Sequence, residues 1–558
     1  MLLTLHDPSR ARQFYEQNLW RTDTLYSLLA KHTNERPDSF ALRDSQHRLT
    51  WQNLNHWVDA VAHDLDQAGV LPGGRVSIWL PNRVESFVAF LACSRNGYVC
   101  NSSLHQNYTV AEIVDLLHGI QSSALVTQAG YGANGKDEDV FGLAAALPSM
   151  KRIYQASSGI NGLGGKLGAA FPMPASRPQL ASQPNNNPDK IAYLAFTSGT
   201  TGRPKGLMHS DNTLLANGRA MVKDWHHDAN TILLSLSPVS HHIATVALEQ
   251  SLVAACELVL NDPPPGMSSL DWILDSGATY VMGVPTHAID IQAAMKQRHL
   301  KRLGNVSVFY MAGAPIPEET ARTFLDQGIL PQNVYGMTEN GSHQYTLPTD
   351  DRDTIVKTCG RSCEVYEVKI FSQENENIEA KPGEVGEIGG RGAMLMLGYF
   401  DNQSATENSF NRDGYLMSGD LGWLDARGNL HFVGRKKDLI IRGGHNIYPA
   451  RIEDLAHRHP LVQKAAAFPV ADERLGEKVC LAIIARDNAR LDAYALLDHL
   501  FHSGLSKFDM PEYFMQLDAF PLTASGKVLK RELVEWAKSG RIAPTPVRWV
   551  DPAKAKEA

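Results

Sequence analysis

No stretch of this 558-residue sequence stays apolar for the ~18 residues that a membrane-spanning helix needs, so no membrane span is expected. Cysteine is scarce: Cys93, Cys100, Cys256, Cys359, Cys363 and Cys480 are scattered, and only Cys359 and Cys363 lie close together. No second pair or histidine cluster completes a zinc site, and the six read as reduced thiols of a cytoplasmic protein. Positive charge is not in excess. Lys and Arg total 53 against 60 Asp and Glu, a net charge of -7, which points away from nucleic acid and from anionic membranes. The opening residues, MLLTLHDPSRARQFYEQ, turn polar too early for a signal peptide. What is present, 43% hydrophobic and 20% charged residues, is the composition of a soluble globular protein. The length exceeds what one core supports, so two or more domains are expected.

The first 190 residues alternate helical and strand patterns. Residues 49–68 place apolar side chains at three- and four-residue spacing, an amphipathic helix. Residues 76–80 and 124–127 read as short strands, and 84–93 as a helix. The alternation argues for an α/β architecture with largely parallel sheet. Residues 157–188 are rich in Gly, Ala, Ser, Pro and Asn. Gly162, Gly164, Gly165 and Gly168 imitate a dinucleotide fingerprint, but Pro172, Pro174 and Pro178 preclude the helix that must follow. A surface loop fits better.

The most informative stretch is residues 197–206, TSGTTGRPKG, directly after the apolar run 191–196, IAYLAF. Thr197, Ser198, Thr200 and Thr201 supply hydroxyl donors. Gly199, Gly202 and Gly206 let successive backbone N–H groups curl round an anion. Lys205 adds a movable positive charge, stiffened by Pro204. This is the chemistry of a polyphosphate cradle. It is not a Walker loop, which needs Gly-Lys-Ser/Thr opening a helix. A flexible linker would share the composition but would not follow directly on a buried strand.

Further motifs follow in order. Strand 231–237 leads into Pro238-Val-Ser-His241-His242. Strands 280–285 and 306–310 end in loops, the second running through Met311, Gly313, Ala314 and Pro315. Asn333-Val-Tyr335-Gly-Met337-Thr338-Glu339 sets a flat aromatic, suited to stacking, beside a hydroxyl and a hard oxygen ligand. Residues 415–420, Tyr415-Leu-Met-Ser-Gly419-Asp420, follow. Residues 434–446, GRKKDLIIRGGHN, place charge between two apolar strands, as a hinge would. Late in the chain, Pro521-Leu-Thr-Ala-Ser-Gly526-Lys527 is a basic loop.

Taken together, these motifs resemble those of the acyl-adenylate-forming superfamily, and most of all its acyl-CoA synthetases. The N-terminal half is similar to ligases of cyclohexanecarboxylate and medium-chain acids. The resemblance covers nearly the whole chain. It implies a large N-terminal domain, 1–434, of parallel-sheet αβ subdomains plus a distorted β-barrel that includes the glycine turns at 386–392 and 398–402. A small mobile C-terminal αβ domain, 435–558, would follow, with its hinge near 435–438 at Lys437.

It also implies roles. Residues Thr197 to Gly202 and Lys205 hold the phosphates of ATP; Gly313, Ala314 and Pro315 lie along the adenine, with Asn333 on its amino group and Tyr335 against the ring. Thr338 contacts the α-phosphate and Glu339 holds Mg²⁺. Asp420 and Arg435 take the ribose, Lys527 is the catalytic lysine, and Gly443 and Gly444 line a coenzyme A channel. His241, Met282, Met311, Ala314, Tyr335 and Met337 would wall an apolar, ring-sized acyl pocket.

The implied reaction joins a carboxylic acid to coenzyme A through an acyl adenylate, with ATP and Mg²⁺ and no tightly bound organic cofactor. Amino-acid-activating relatives place an aspartate at the start of the 238–245 region; here that region, PVSHHIAT, carries no acid. A simple medium-chain, alicyclic or aromatic acid is therefore expected. Three alternatives stay open: a stand-alone adenylation enzyme loading a carrier protein, a luciferase-like oxygenase, and a non-catalytic acyl- or nucleotide-binding protein. Monomer and homodimer are equally open.

Overall fold

The computed structural model describes residues 7–157, 168–174, 182–197, 204–486, 489–523 and 527–549. The chain forms two compact units, the first of Met1–Ile316, Thr320–Val368 and Gly390–Leu416, the second of Pro317–Glu319, Lys369–Gly389 and Met417–Ala558.

The first unit is a mixed α/β body built on two large sheets. In one, the strands Leu330–Met337, Val308–Met311, Tyr280–Gly283, Ile232–Ser235, Glu257–Leu260 and Phe40–Arg43 lie side by side and parallel. Antiparallel strands Gly341–Tyr345 and Arg48–Thr50 flank this run at its two ends. Parallel strands covered on both faces read as continuous apolar runs; Leu233, Leu234, Leu258, Val259, Tyr280, Val281 and Met282 are all buried. In the other sheet, Ile191–Thr197, Val99–Asn101, Arg75–Trp79, Ser122–Thr127 and Arg152–Gln155 are parallel, and Lys205–Ser210 and then Gly398–Tyr399 extend it antiparallel.

Two helices show why sequence and structure differ at boundaries. The helix expected over 49–68 spans Trp51–Gln67. Leu49 and Thr50 belong to the strand Arg48–Thr50, and the Thr50 hydroxyl caps the helix by accepting from Asn53 N at 3.2 Å. Helix Val84–Asn96 runs three residues past expectation and stops at Gly97, whose φ of 75° ends it. All thirteen of its residues are buried, so its two charges are paired: Arg95 Nε meets Asp59 Oδ1 at 2.9 Å, and Arg83 pairs with Glu85.

A third, four-stranded sheet contains Tyr366–Phe371, Gly386–Gly392, Leu416–Leu424 and Leu430–Arg435. Gly398–Tyr399, expected in the same layer, is not part of it. It pairs instead with Lys205–Ser210, at Gly398↔Met208 and Tyr399↔Leu207, because Leu397 N and Phe400 N bond Met208 O and Gly206 O.

The second unit has its own core under a sheet centred on the hairpin Val462–Asp472 and Gly476–Ala485. Helices Pro449–His457, Ala493–His502 and Lys530–Lys538 pack with it. A smaller hairpin, Ile440–Arg442 with His445–Ile447, turns through Gly443 and Gly444 at φ 57° and 85°. A two-residue turn of that hand needs positive φ at both positions, which glycine supplies. Among the described residues no helix is long and apolar enough to cross a membrane.

Candidate active site

Strand pairing brings the two ends of the glycine-rich stretch together. Ile191–Thr197 and Lys205–Ser210 are antiparallel with Thr197 opposite Lys205 and Phe196 opposite Gly206. Ser198, Gly199, Thr200, Thr201 and Gly202 lie outside the described residues, as do Gly162, Gly164 and Gly165.

Lys205 Nζ sits 5.0 Å from the centroid of the Tyr399 ring, a distance at which a cation is attracted to the ring face. The Tyr399 hydroxyl donates to Glu339 Oε1 at 3.1 Å. Burial first, and then the Glu339 charge, push that phenol up, so it stays a donor. A cation, a phenol and a carboxylate thus converge from three separate parts of the sequence. The chemistry suits Mg²⁺ carried by a nucleotide: one hard carboxylate oxygen is enough where phosphates and water supply the remaining ligands.

Thr338 and Glu339 occupy the turn between Leu330–Met337 and Gly341–Tyr345. A Thr-Glu pair commonly caps a helix, but here Asn340 closes a turn, its side chain accepting from Met337 N at 3.0 Å and donating to the Tyr366 hydroxyl at 3.1 Å. The Thr338 carbonyl is held by His209 Nε2 at 2.8 Å. A carbonyl only accepts, so Nε2 carries the proton and Nδ1 faces Thr213 Oγ1 at 3.0 Å. Burial pushes His209 down to about 4, keeping the ring neutral. His209 and Tyr399 both hold candidate site residues, and neither shows in the sequence as functional.

Asn333 and Tyr335 lie in the same strand, both buried. Asn333 Nδ2 donates to Ile355 O, while Oδ1 has no hydrogen-bond partner. An unpaired buried acceptor is expensive, and this one is the group an exocyclic amine would satisfy. Tyr335 meets His343 edge-on, centroids 5.4 Å apart at 88°. Gly313, Ala314 and Pro315 form an exposed loop beyond strand Val308–Met311, with Gly313 at φ 86°.

The residues expected to wall an acyl pocket do not all share one face. Register puts Met282 beside Tyr310 and Gly283 beside Met311. Side chains alternate along a strand, so Met282 joins the core containing Tyr280, Tyr310 and Ala312, while Met311 joins the core of Val281 and Phe309. Met337 packs at the edge of the first group. Ala314 lies in the exposed loop. His241 is the residue before helix His242–Ala254, and its ring lies 4.7 Å from that of His105.

In the second unit, Asp420 and Arg435 are register partners, with Arg435 Nε 3.5 Å from Asp420 Oδ1. Glu387 braces that corner: it accepts from Gly419 N at 3.1 Å and from Lys436 Nζ at 2.7 Å. Lys437 lies exposed in the 3₁₀ turn Lys436–Asp438. Lys527 is exposed, its N–H donating to Thr523 Oγ1 at 3.0 Å and its carbonyl accepting from Thr523 N at 2.7 Å.

The AMP-binding enzyme family matches residues 29–400, and the AMP-binding enzyme C-terminal domain matches 451–527. The chain belongs to the AMP-binding enzyme family. Among relatives of this AMP-binding enzyme, the medium-chain fatty-acid–CoA ligase of Escherichia coli K12 is 26% identical over 537 residues, which cover 95% of this chain and 93% of that one. The feruloyl-CoA synthase of an Amycolatopsis species is 30% identical over 515 residues, 92% of this chain and 99% of that one. The crystal structure of ATP-bound MatB from Rhodopseudomonas palustris matches with a TM-score of 0.78 at 26% identity, covering 93% of this chain and all of that one.

His343, in the strand after the Thr338–Glu339 turn, gives a direct test of the electrostatics in this AMP-binding enzyme. It is 1% exposed, neither ring nitrogen has a partner, and burial pushes it down to about 3. Between that value and the ordinary 6.5 the unfolded chain binds the extra proton, so the associated stability is present above pH 6.5 and lost as pH falls. Glu249 and Glu453, raised by burial, pull the other way, so a variant comparison is needed. Between pH 7.5 and pH 5, wild type should lose about 2 kcal/mol more stability than His343→Phe, measured by denaturant unfolding at both pH values. Parallel curves would show that His343 is not buried neutral.

Proposed function

We propose that this AMP-binding enzyme is an ATP-dependent carboxylic acid:coenzyme A ligase, working through an acyl adenylate on a medium-chain, alicyclic or aromatic acid. The observation that carries this is the convergence of Lys205, Tyr399 and Glu339 beside the Thr197 end of the glycine-rich stretch.

On this reading the substrate carboxylate attacks the α-phosphorus of Mg-ATP and pyrophosphate leaves. Charge accumulates on phosphoryl oxygens, so positioned donors and cations supply the catalysis. Thr197, Ser198, Gly199, Thr200, Thr201, Gly202 and Lys205 hold the phosphates, with Thr338 at the α-phosphate and Glu339 on Mg²⁺. The Asn333 Oδ1 acceptor takes the adenine amine, Tyr335 lies against the ring, and Gly313, Ala314 and Pro315 pass beside it. Asp420 and Arg435 bind the ribose hydroxyls. Lys527 neutralises charge between carboxylate and α-phosphate. For the second half the C-terminal domain, 435–558, turns about Lys437; Lys527 leaves, and the hairpin at Gly443 and Gly444 guides the coenzyme A thiol to the acyl carbon, expelling AMP. His241 stands at the mouth of the acyl pocket. The six free cysteines support placement in the reducing cytoplasm.

The test is pyrophosphate release with Mg-ATP across a panel of octanoate, cyclohexanecarboxylate, benzoate and hydroxycinnamates, with and without coenzyme A. Acid-dependent release, accelerated by coenzyme A with thioester formed, is expected. Release indifferent to coenzyme A would instead favour carrier-protein loading, and ATP binding without any release would favour a binding protein.

A further inference from the structure

Helix His242–Ala254 begins at the site and carries an acid into the interior. Glu249 is 0% exposed, and neither carboxylate oxygen has a hydrogen-bond partner. Burial pushes it well above the usual carboxylate range, which leaves a neutral group able both to donate and to accept. An unpaired carboxyl in the interior is destabilising, and a protein that keeps one generally has a use for it.

Its surroundings say what that use is. A Cβ built on Gly218 would meet the Glu249 backbone and Cβ at 2.9 Å, so helix Asp211–Trp225 closes that side tightly. The buried phenols of Tyr193 and Tyr310, both raised by burial, lie within electrostatic range of the Glu249 carboxyl. The Tyr310 hydroxyl is already bonded to Ser342 Oγ at 2.8 Å, in the strand that follows the Thr338–Glu339 turn. At the start of the same helix His242 lies parallel to Tyr193 and to His209, at 5.8 and 5.7 Å, and His209 holds the Thr338 carbonyl. Glu249 is seven residues, two helical turns or roughly 10 Å, beyond His242 on the same face.

We propose that Glu249 is a specificity-determining residue at the deep end of the acyl site, where its carboxyl group exchanges hydrogen bonds with a neutral hydroxyl or carbonyl at the end of the substrate away from its carboxylate. This rests on the ligase reading above. It narrows the substrate from a plain alkyl or ring acid to one with a polar group at its far end.

Two matched pairs test it: 8-hydroxyoctanoate against octanoate, and 4-hydroxycinnamate against cinnamate, each read as kcat/KM for pyrophosphate release with coenzyme A present. A site built to bond a hydroxyl discriminates strongly against the analogue lacking it, so wild type should prefer a hydroxylated member by tenfold or more. Glu249→Leu should abolish that preference and raise kcat/KM for the plain acid. Glu249→Gln, which keeps a donor and an acceptor, should retain it. Equal use of both members by wild type would overturn the proposal while leaving the ligase intact, and needs no variant to fold. So would a preference that survives in a folded Glu249→Leu, or a preference for 8-aminooctanoate, which would require an ionised Glu249. Failure of every acid to release pyrophosphate would overturn the ligase reading itself, and this proposal with it.

Discussion

Lys527→Ala should lower the rate of acyl-adenylate formation by a hundred- to a thousand-fold and leave thioester formation from supplied acyl-AMP within a few-fold of wild type. The first figure follows from removing one preorganised charge from a phosphoryl-transfer transition state, worth about 3–4 kcal/mol. The second follows from the two-step cycle proposed above, in which the ammonium group would have left before the thiol attacks. Two hydrogen bonds at this position, Lys527 N to Thr523 Oγ1 and Thr523 N to Lys527 O, use the backbone of residue 527, and Leu522 bridges Val528 beside them. Alanine keeps all three. Stopped-flow pyrophosphate release reports the first half, and chromatographic detection of thioester from synthetic acyl-AMP the second. An equal loss in both halves would sink the assignment of Lys527 to adenylation alone.

Gly336→Ala is expected to abolish ATP-dependent turnover and to destabilise the first unit by about 3 kcal/mol or more. A Cβ at this position would fall 1.9 Å from the Gly341 carbonyl oxygen, which is backbone and has nowhere to go. Gly336 lies where the register between Leu330–Met337 and Gly341–Tyr345 shifts, just ahead of Thr338 and Glu339. The overlap must open the turn that aims both residues. A thermal melt followed by an ATP-dependent activity assay separates the two consequences. A variant with wild-type melting temperature and activity would mean that the strands do not approach this closely.

The motifs legible in the sequence are those whose chemistry is local. Thr197 to Lys205 and Tyr335 to Glu339 carry their donors, charges and aromatics within a few residues, so composition and spacing expose them. Alternating strands and helices likewise announce the parallel sheets. What stayed hidden depends on partners brought from a distance. Tyr399 follows Glu339 by 60 residues in a two-residue strand, too short for any periodicity. His209 reads as an ordinary residue ahead of a helix cap until its ring is seen against the Thr338 carbonyl. Glu249 sits among apolar residues whose helix is buried along most of its length, where a periodic stripe gives no sign of an interior acid. Register is the other blind spot: Met282 and Met311 both end strands, but only the pairing between those strands shows that their side chains part to opposite faces.

Gly398–Tyr399 has a consequence for how the protein fails. The strand Lys205–Ser210 would otherwise be the terminal strand of its sheet, with unpaired N–H and C=O groups along an apolar segment, Leu207 and Met208. Exposed edges of that kind invite pairing with a second chain. The two residues that deliver a phenol to Lys205 also shield this edge. Variants that dislodge them, such as Tyr399→Pro, should therefore disappear into the insoluble fraction at the same time as they lose activity, so that a screen of soluble protein alone would never see them.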